Sequence, residues 1–287
     1  MTNALPSLHD HPDDLAALKA AVARLEAPSL TIRLSNMIGS PIEWAISKLP
    51  RAASSKIQDA VHLALHKSVS AALRTFPDKA TGGAPRNRTH GAAAALTGAA
   101  GGFFGLTGTL VELPFSTTIM MRSVADIARS EGFALDDPEI QRECVQVFAM
   151  GGTSKDDDAA ESAYYALRTA FNEVAKETAR ALAEVATKHS AGKVSAHFAS
   201  PKQAGTWLAK TIEVVAQRFG INITEKIAAQ AAPVVGAVSG AAINALFINH
   251  YQEMARGHFT VKRLELKYGE DAVRQAYREL LAAHPPR

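Results

Sequence analysis

Apolar residues recur at three- and four-residue steps along most of the chain and nowhere alternate strictly, so the sequence predicts helices and no strand. Pro12 with Asp13 and Asp14 opens a helix that runs to about Glu26 and is closed by Pro28. Ser40 and Pro41 start a short helix that ends before Pro50, and Ile57, Val61, Leu65 and Val69 mark one face of a helix from Arg51 to about Phe76. Pro77 to His90 is rich in Gly, Pro and polar residues and reads as a loop. A break or kink near Leu113 is expected from Pro114, followed by a helix from Phe115 to about Glu131 that stops at Gly132. Further helices are expected from Asp137-Pro138 to Gly151, from Ala159 to His189, from Ser200-Pro201 to Phe219 with a stop at Gly220, and from Glu270 to Ala283 after Gly269.

Between the loop and Pro114 the pattern changes character. Gly91, Gly98 and Gly105 recur every seventh residue, with Ala94, Gly101 and Gly108 interleaved, and the same register lands on Glu112. On a helix these positions form one stripe almost without side chains, which lets another backbone come close. Each glycine costs about 1 kcal/mol of helix propensity relative to alanine, so close packing has to compensate. Residues 91 to 111 carry no charge, which suits a membrane-inserted helix, but 15 of these 21 are Gly, Ala or Thr, so the drive for insertion is weak. A buried central helix is the expectation. A second uncharged stretch, Ile227 to Gln252, is interrupted by Pro233 and carries Gly236, Gly240 and Asn244 at four-residue steps. It is the natural partner of the first.

The predicted fold is therefore all-α: a single multi-helix domain over residues 13–284, after a flexible segment 1–12 and with 77–90 as an internal loop. Its two Gly/Ala-rich helices pack together at the centre, surrounded by amphipathic ones. Charge is nearly balanced, 31 Lys and Arg against 28 Asp and Glu, without the clustered basic footprint that nucleic-acid binding needs. One cysteine, Cys144, excludes an intrachain disulfide and suits a reducing compartment. The acidic beginning, MTNALPSLHDHPDD, lacks a secretory pattern, so a cytoplasmic location is expected.

Candidate chemistry is sparse. Glu112, at the edge of an uncharged stretch, must be neutral, paired or hydrogen-bonded if buried, with Arg122, Asn244 or His250 as candidate partners. A structural pairing at a helix end is the plainer role, and an acid or base in catalysis is the alternative. His62 and His66 have the spacing of two metal ligands but lack the glutamate of the HExxH motif. His250, Glu253 and His258 fall on one helix in the reverse order of the di-iron Glu-x-x-His element. Asp156 to Asp158 lack EF-hand spacing, and Ser190 to Lys193 matches Ser-x-x-Lys inside a linker-like stretch. No metal and no cofactor are expected, and no motif makes a positive case for an enzyme.

Two blocks carry a resemblance: GGFFGLTGTLVELPFSTTIMMRSVADIARSEGF and PVVGAVSGAAINALFINHYQEMARGHFTVKRLELKYG. Together they resemble the EcsC family of bacterial proteins over about Leu25 to Gly269. Gly102, Gly105, Gly108, Pro114, Arg122, Ile127, Ala128 and Gly132 look like its first signature. Pro233, Gly236, Ala237, Gly240, Asn244, Ala255, His258 and Phe259 look like its second. Glu112 stands where the family often has an aspartate. The resemblance implies a role beside an ABC exporter or at a membrane and transfers no catalytic residue.

Three functions follow as expectations. The first is a non-enzymatic protein at the inner face of the cell membrane, with the membrane surface or ABC transporter subunits as partners. Lys79, Arg86 and Arg88 before the first uncharged stretch, and Arg256, Lys262 and Arg263 after the second, suit an anionic leaflet. The second is a soluble binder of a lipid or other apolar ligand between the central helices. The third is a hydrolase or peptidase built on Glu112 with His250 or His258.

Overall fold

The structure is a computed structural model that describes residues 6–50, 53–74, 81–85, 89, 105–151, 162–189, 201–231 and 240–283. Ten α-helices occur among the described residues: α1 (Pro12–Leu25), α2 (Leu30–Ile38), α3 (Ile42–Ser47), α4 (Ala53–Arg74), α5 (Gly105–Ser130), α6 (Pro138–Gln146), α7 (Ala163–His189), α8 (Pro201–Ala231), α9 (Gly240–Tyr268) and α10 (Glu270–Ala283). Short 3₁₀ turns span Leu8–Asp10 and Val147–Ala149. The described residues contain no strand.

Local signals place most of these boundaries. Pro12 sits in the first turn of α1 with Asp13 and Asp14, where carboxylates favour the exposed N–H groups. The Asp137 side chain caps α6 by accepting from the Glu139 N–H at 2.8 Å. Gly132 and Gly269, at φ 95° and 88°, turn the chain out of α5 and α9 in the left-handed conformation open to glycine. Helix α2 has no counterpart in the sequence expectations. Its signals are the Ser29 cap, the buried Leu30, Leu34 and Ile38 at four-residue steps, and Gly39 at φ 69°.

The helix runs on at two places where a break was among the expectations. Helix α5 continues through Pro114, whose ring removes only one donor from a ladder of many, and the Thr118 hydroxyl adds a bond to the Pro114 carbonyl at 2.7 Å. Helix α8 likewise runs on through Gly220 to Ala231. Gly220 serves closeness rather than a stop: a Cβ there would lie 2.4 Å from the Gln58 side chain of α4.

Helix α8 packs against α2, α3, α4, α5, α6 and α7, and α9 packs against α1, α2, α5 and α10. Helix α5 packs against α9, but α8 lies between more neighbours than either, and most of the glycine seam expected between the two uncharged stretches falls on residues that are not described. Ile57, Val61, Leu65 and Val69 are buried where α4 lies against α5 and α8. Phe148, Phe219 and Tyr251 lock the Val147–Ala149 turn to α8 and α9, with ring centroids 5.1 and 4.9 Å from Phe148. The Arg129 side chain and carbonyl hold Gly82 at the end of α5, and Asp126 fixes the guanidinium from 2.9 Å. Gly91, Gly98, Gly101 and Gly236 lie outside the described residues, as do Lys79, Arg86, Arg88, Asp156 to Asp158 and Ser190 to Lys193.

Where α1 meets α9, Gly257 faces Leu25, and a Cβ at Gly257 would stand 2.6 Å from Leu25 Cγ. Gly257→Val is expected to destabilise the fold by about 1–3 kcal/mol through overpacking, read as a lowered thermal midpoint. An unchanged midpoint would show that α1 and α9 do not meet at this glycine.

Candidate functional site

Glu112 lies in the interior of α5, not at a helix end, and is buried together with residues from two other helices. Its Oε2 accepts from Lys226 Nζ of α8 at 3.2 Å, and its Oε1 accepts from Asn244 Nδ2 of α9 at 2.8 Å. Lys226 is 0% exposed and Glu112 7%. Burial pushes the Lys226 ammonium below its ordinary range, against the pull of Glu112 toward the charged form. Of the expected partners only Asn244 is present: Arg122 is exposed, and His250 turns to the Met150 carbonyl at 3.4 Å.

Two further polar bridges flank this centre. Thr109 of α5 donates to Gln230 of α8 at 2.9 Å, and Gln252 of α9 donates to Ser123 of α5 at 2.9 Å. Together the bridges set the register of α5 against its two neighbours.

His258 belongs to a separate buried centre. Its Nε2 lies 2.8 Å from Glu143 Oε2 of α6, and its Nδ1 lies 3.0 Å from the Tyr164 hydroxyl of α7. Arg142 and Lys262 also reach Glu143 Oε1, at 3.0 and 3.2 Å. Burial works against the charge on Glu143, but His258, Lys262 and Arg142 together hold its carboxyl well below the ordinary value. Burial pushes His258 down, opposed by Glu143. An ionised Glu143 and a neutral His258 fit both directions, with Nε2–H donating to Glu143 and the Tyr164 hydroxyl donating to Nδ1.

The structure thus separates the acid and the histidines that sequence had grouped. Glu253 is bonded to Arg24 and Arg256, so His250, Glu253 and His258 share a helix but not a site. Lys226, Glu143 and Tyr164 escaped the sequence analysis. Lys226 had a signal, since it immediately precedes the second uncharged stretch as Glu112 ends the first. Glu143 and Tyr164 had none, because nothing local ties α6 or α7 to His258.

A cavity of about 100 Å³ lies beside the second centre, lined by residues that include Leu25, Met150, Tyr164, Leu167 and Met254. The Tyr164 hydroxyl is already engaged by His258. The matched family model, described as the EcsC protein family, covers residues 15–264 of the chain. The chain belongs to the EcsC protein family. No curated protein and no solved structure gives a significant match. The EcsC match takes in both buried centres and ends within α9, before α10 begins.

Breaking the Glu112 centre from one side leaves a buried charge without its partner. Lys226→Met is expected to cost about 3–5 kcal/mol in urea unfolding, and the double variant Glu112→Leu/Lys226→Met to recover most of it. Equal stability of the single variant and the wild type would remove the ion pair from the core.

Acid acts through the histidines. Burial pushes His250 from 6.5 down to about 4, opposed by the Met150 carbonyl and aided by the Arg33 charge. Between pH 6.5 and about 4 the unfolded chain therefore binds a proton that the folded chain does not. This contribution is full above 6.5 and falls by about 3 kcal/mol on acidification, in the same direction as that of His258. His250→Gln should flatten unfolding free energy against pH in this window, and an unaltered slope would contradict the assignment.

Proposed function

We propose that this EcsC-family chain is a non-enzymatic helical protein that works at the inner face of the cell membrane as an accessory, with ABC transporter subunits as candidate protein partners. The observation that carries this reading is the end of the first uncharged stretch. Val111 and Phe115, one turn apart on α5, are 67% and 65% exposed, although the neighbouring Glu112 and Leu113 are buried. Large apolar side chains in that setting favour contact with an apolar phase or partner.

Other observations support the parts of this reading. Glu112, His250 and His258 are each engaged by named interior partners, an arrangement suited to holding helices together. Among the described residues no helix is long and apolar enough to cross a membrane, which favours surface attachment over spanning. The cations after the second uncharged stretch do not add a basic patch. Arg256 pairs with Glu253, Lys262 with Glu139 and Glu143, and Arg263 with Asp14 and Glu131. Attachment on this reading is chiefly apolar. The cavity beside Tyr164, at about 100 Å³, falls below the roughly 300–1,000 Å³ of ordinary small-molecule sites and does not favour binding of a lipid or other apolar ligand there.

Fractionation of native cells tests the proposal. The protein is expected in the membrane pellet through a high-salt wash and to leave it in alkaline carbonate. A wholly soluble pool would overturn it.

A further inference from the structure

We propose that the outer side of the region where α2, α3 and α8 meet docks a partner protein segment that presents a lysine or arginine between apolar side chains, with Glu225 as the receptor for that cation. This goes beyond the membrane reading and does not depend on it. Glu225 of α8 is 4% exposed, and the Thr31 hydroxyl of α2 donates to its carboxylate, lying 2.8 Å from Oε1 and 3.0 Å from Oε2. Among the described residues no cation joins them. The other buried acids there each have one: Glu112 pairs with Lys226, Asp126 with Arg129, and Glu143 with Arg142 and Lys262. Burial and the charge of Glu43 on α3 push the Glu225 carboxyl above its ordinary range against the Thr31 bond, and no cation pulls it back. The cations of the same three helices are placed elsewhere. Lys48 lies over the Trp44 ring, Arg33 acts on His250, Lys210 pairs with Glu213, Lys226 with Glu112, and Arg218 lines the cavity beside Tyr164.

The surroundings of this carboxylate are apolar and open. Ile221 stands one turn before Glu225 on α8, Ile32 follows Thr31 on α2, and Trp44 follows Glu43 on α3, and all three side chains are exposed. The three helices pack against one another, so these side chains come from one region of the fold. A carboxylate taken out of water without a cation is costly to the free chain, and large apolar side chains left in water add to that cost. One partner segment relieves both. Its ammonium or guanidinium completes the pair with Glu225, and its apolar neighbours cover Ile221, Ile32 and Trp44 and keep water from the pair. An anionic bilayer does not fit this surface, because Glu225 and Glu43 oppose its headgroups.

Two measurements on the full-length chain test it. Glutamine keeps an acceptor for Thr31 and removes the uncompensated charge, so Glu225→Gln is expected to raise the thermal midpoint of the isolated protein at neutral pH. An unchanged or lowered midpoint would mean that the free chain already accommodates the charge, and would overturn the proposal. For the partner, a benzophenone amino acid is placed at Ile221 or at Ile32, native cells are irradiated and the crosslinked peptides are sequenced. The crosslink is expected in a protein segment that carries Lys or Arg among apolar residues. Adding Glu225→Gln should lower its yield by about tenfold or more, as the loss of one desolvated, charge-assisted bond implies. Glu213→Gln, at an exposed acid of α8, should leave the yield unchanged. Crosslinks to lipid alone, to a segment without a basic residue, or at a yield indifferent to Glu225→Gln overturn the proposal, as does the lack of any crosslink. Fractionation decides the membrane reading separately.

Discussion

A lysine and a glutamate buried together at the meeting of three helices impose the strongest constraint on this fold. Removing each ion from water costs several kcal/mol even after the protein relaxes, so Lys226 and Glu112 are tolerable in the core only together and only with good geometry. Asn244 completes the arrangement by donating to the second carboxylate oxygen. Since the three residues come from α8, α5 and α9, any slide of one helix against the others breaks a bond and strands a charge. Apolar packing by residues such as Leu113, Met120, Met121 and Ile227 is non-directional and specifies register less sharply than a hydrogen bond does. The polar bridges supply that specificity.

The second buried centre works in the same way further along α9. Glu143, held ionised by Arg142 and Lys262, accepts from a neutral His258, which in turn accepts from Tyr164. Two more helices, α6 and α7, are thereby tied to α9. In both centres the acids and bases are turned inward, while the apolar Val111 and Phe115 are turned out. That arrangement is what supports the surface role proposed above.

Much of this was legible locally. The buried face of α4 was present in Ile57, Val61, Leu65 and Val69, and the caps at Pro12 and Asp137 marked helix starts, because such signals act within one or two turns. Pro114 and Gly220 misled for the same reason. Each disfavours a helix on its own, but neighbouring helices outweigh the cost, and Gly220 leaves room for the tip of the Gln58 side chain. At the candidate site, Glu112 and Asn244 were visible as polar residues in uncharged surroundings. Arg122 and His250 were equally plausible partners until the helices were placed.

The sequence by itself determined an all-helical chain of the EcsC family, with two uncharged stretches and an acid at the edge of one. Periodicity, caps and charge are properties of neighbouring residues and need no third dimension. Only the tertiary structure decided that Lys226 closes the Glu112 pair, that His258 faces Glu143 and Tyr164, and that Arg256, Lys262 and Arg263 are spent on carboxylates. Lys226 and Glu112 lie 114 residues apart and Arg263 and Glu131 132, and a charge buried in the core selects its partner by where the helices converge rather than by sequence spacing.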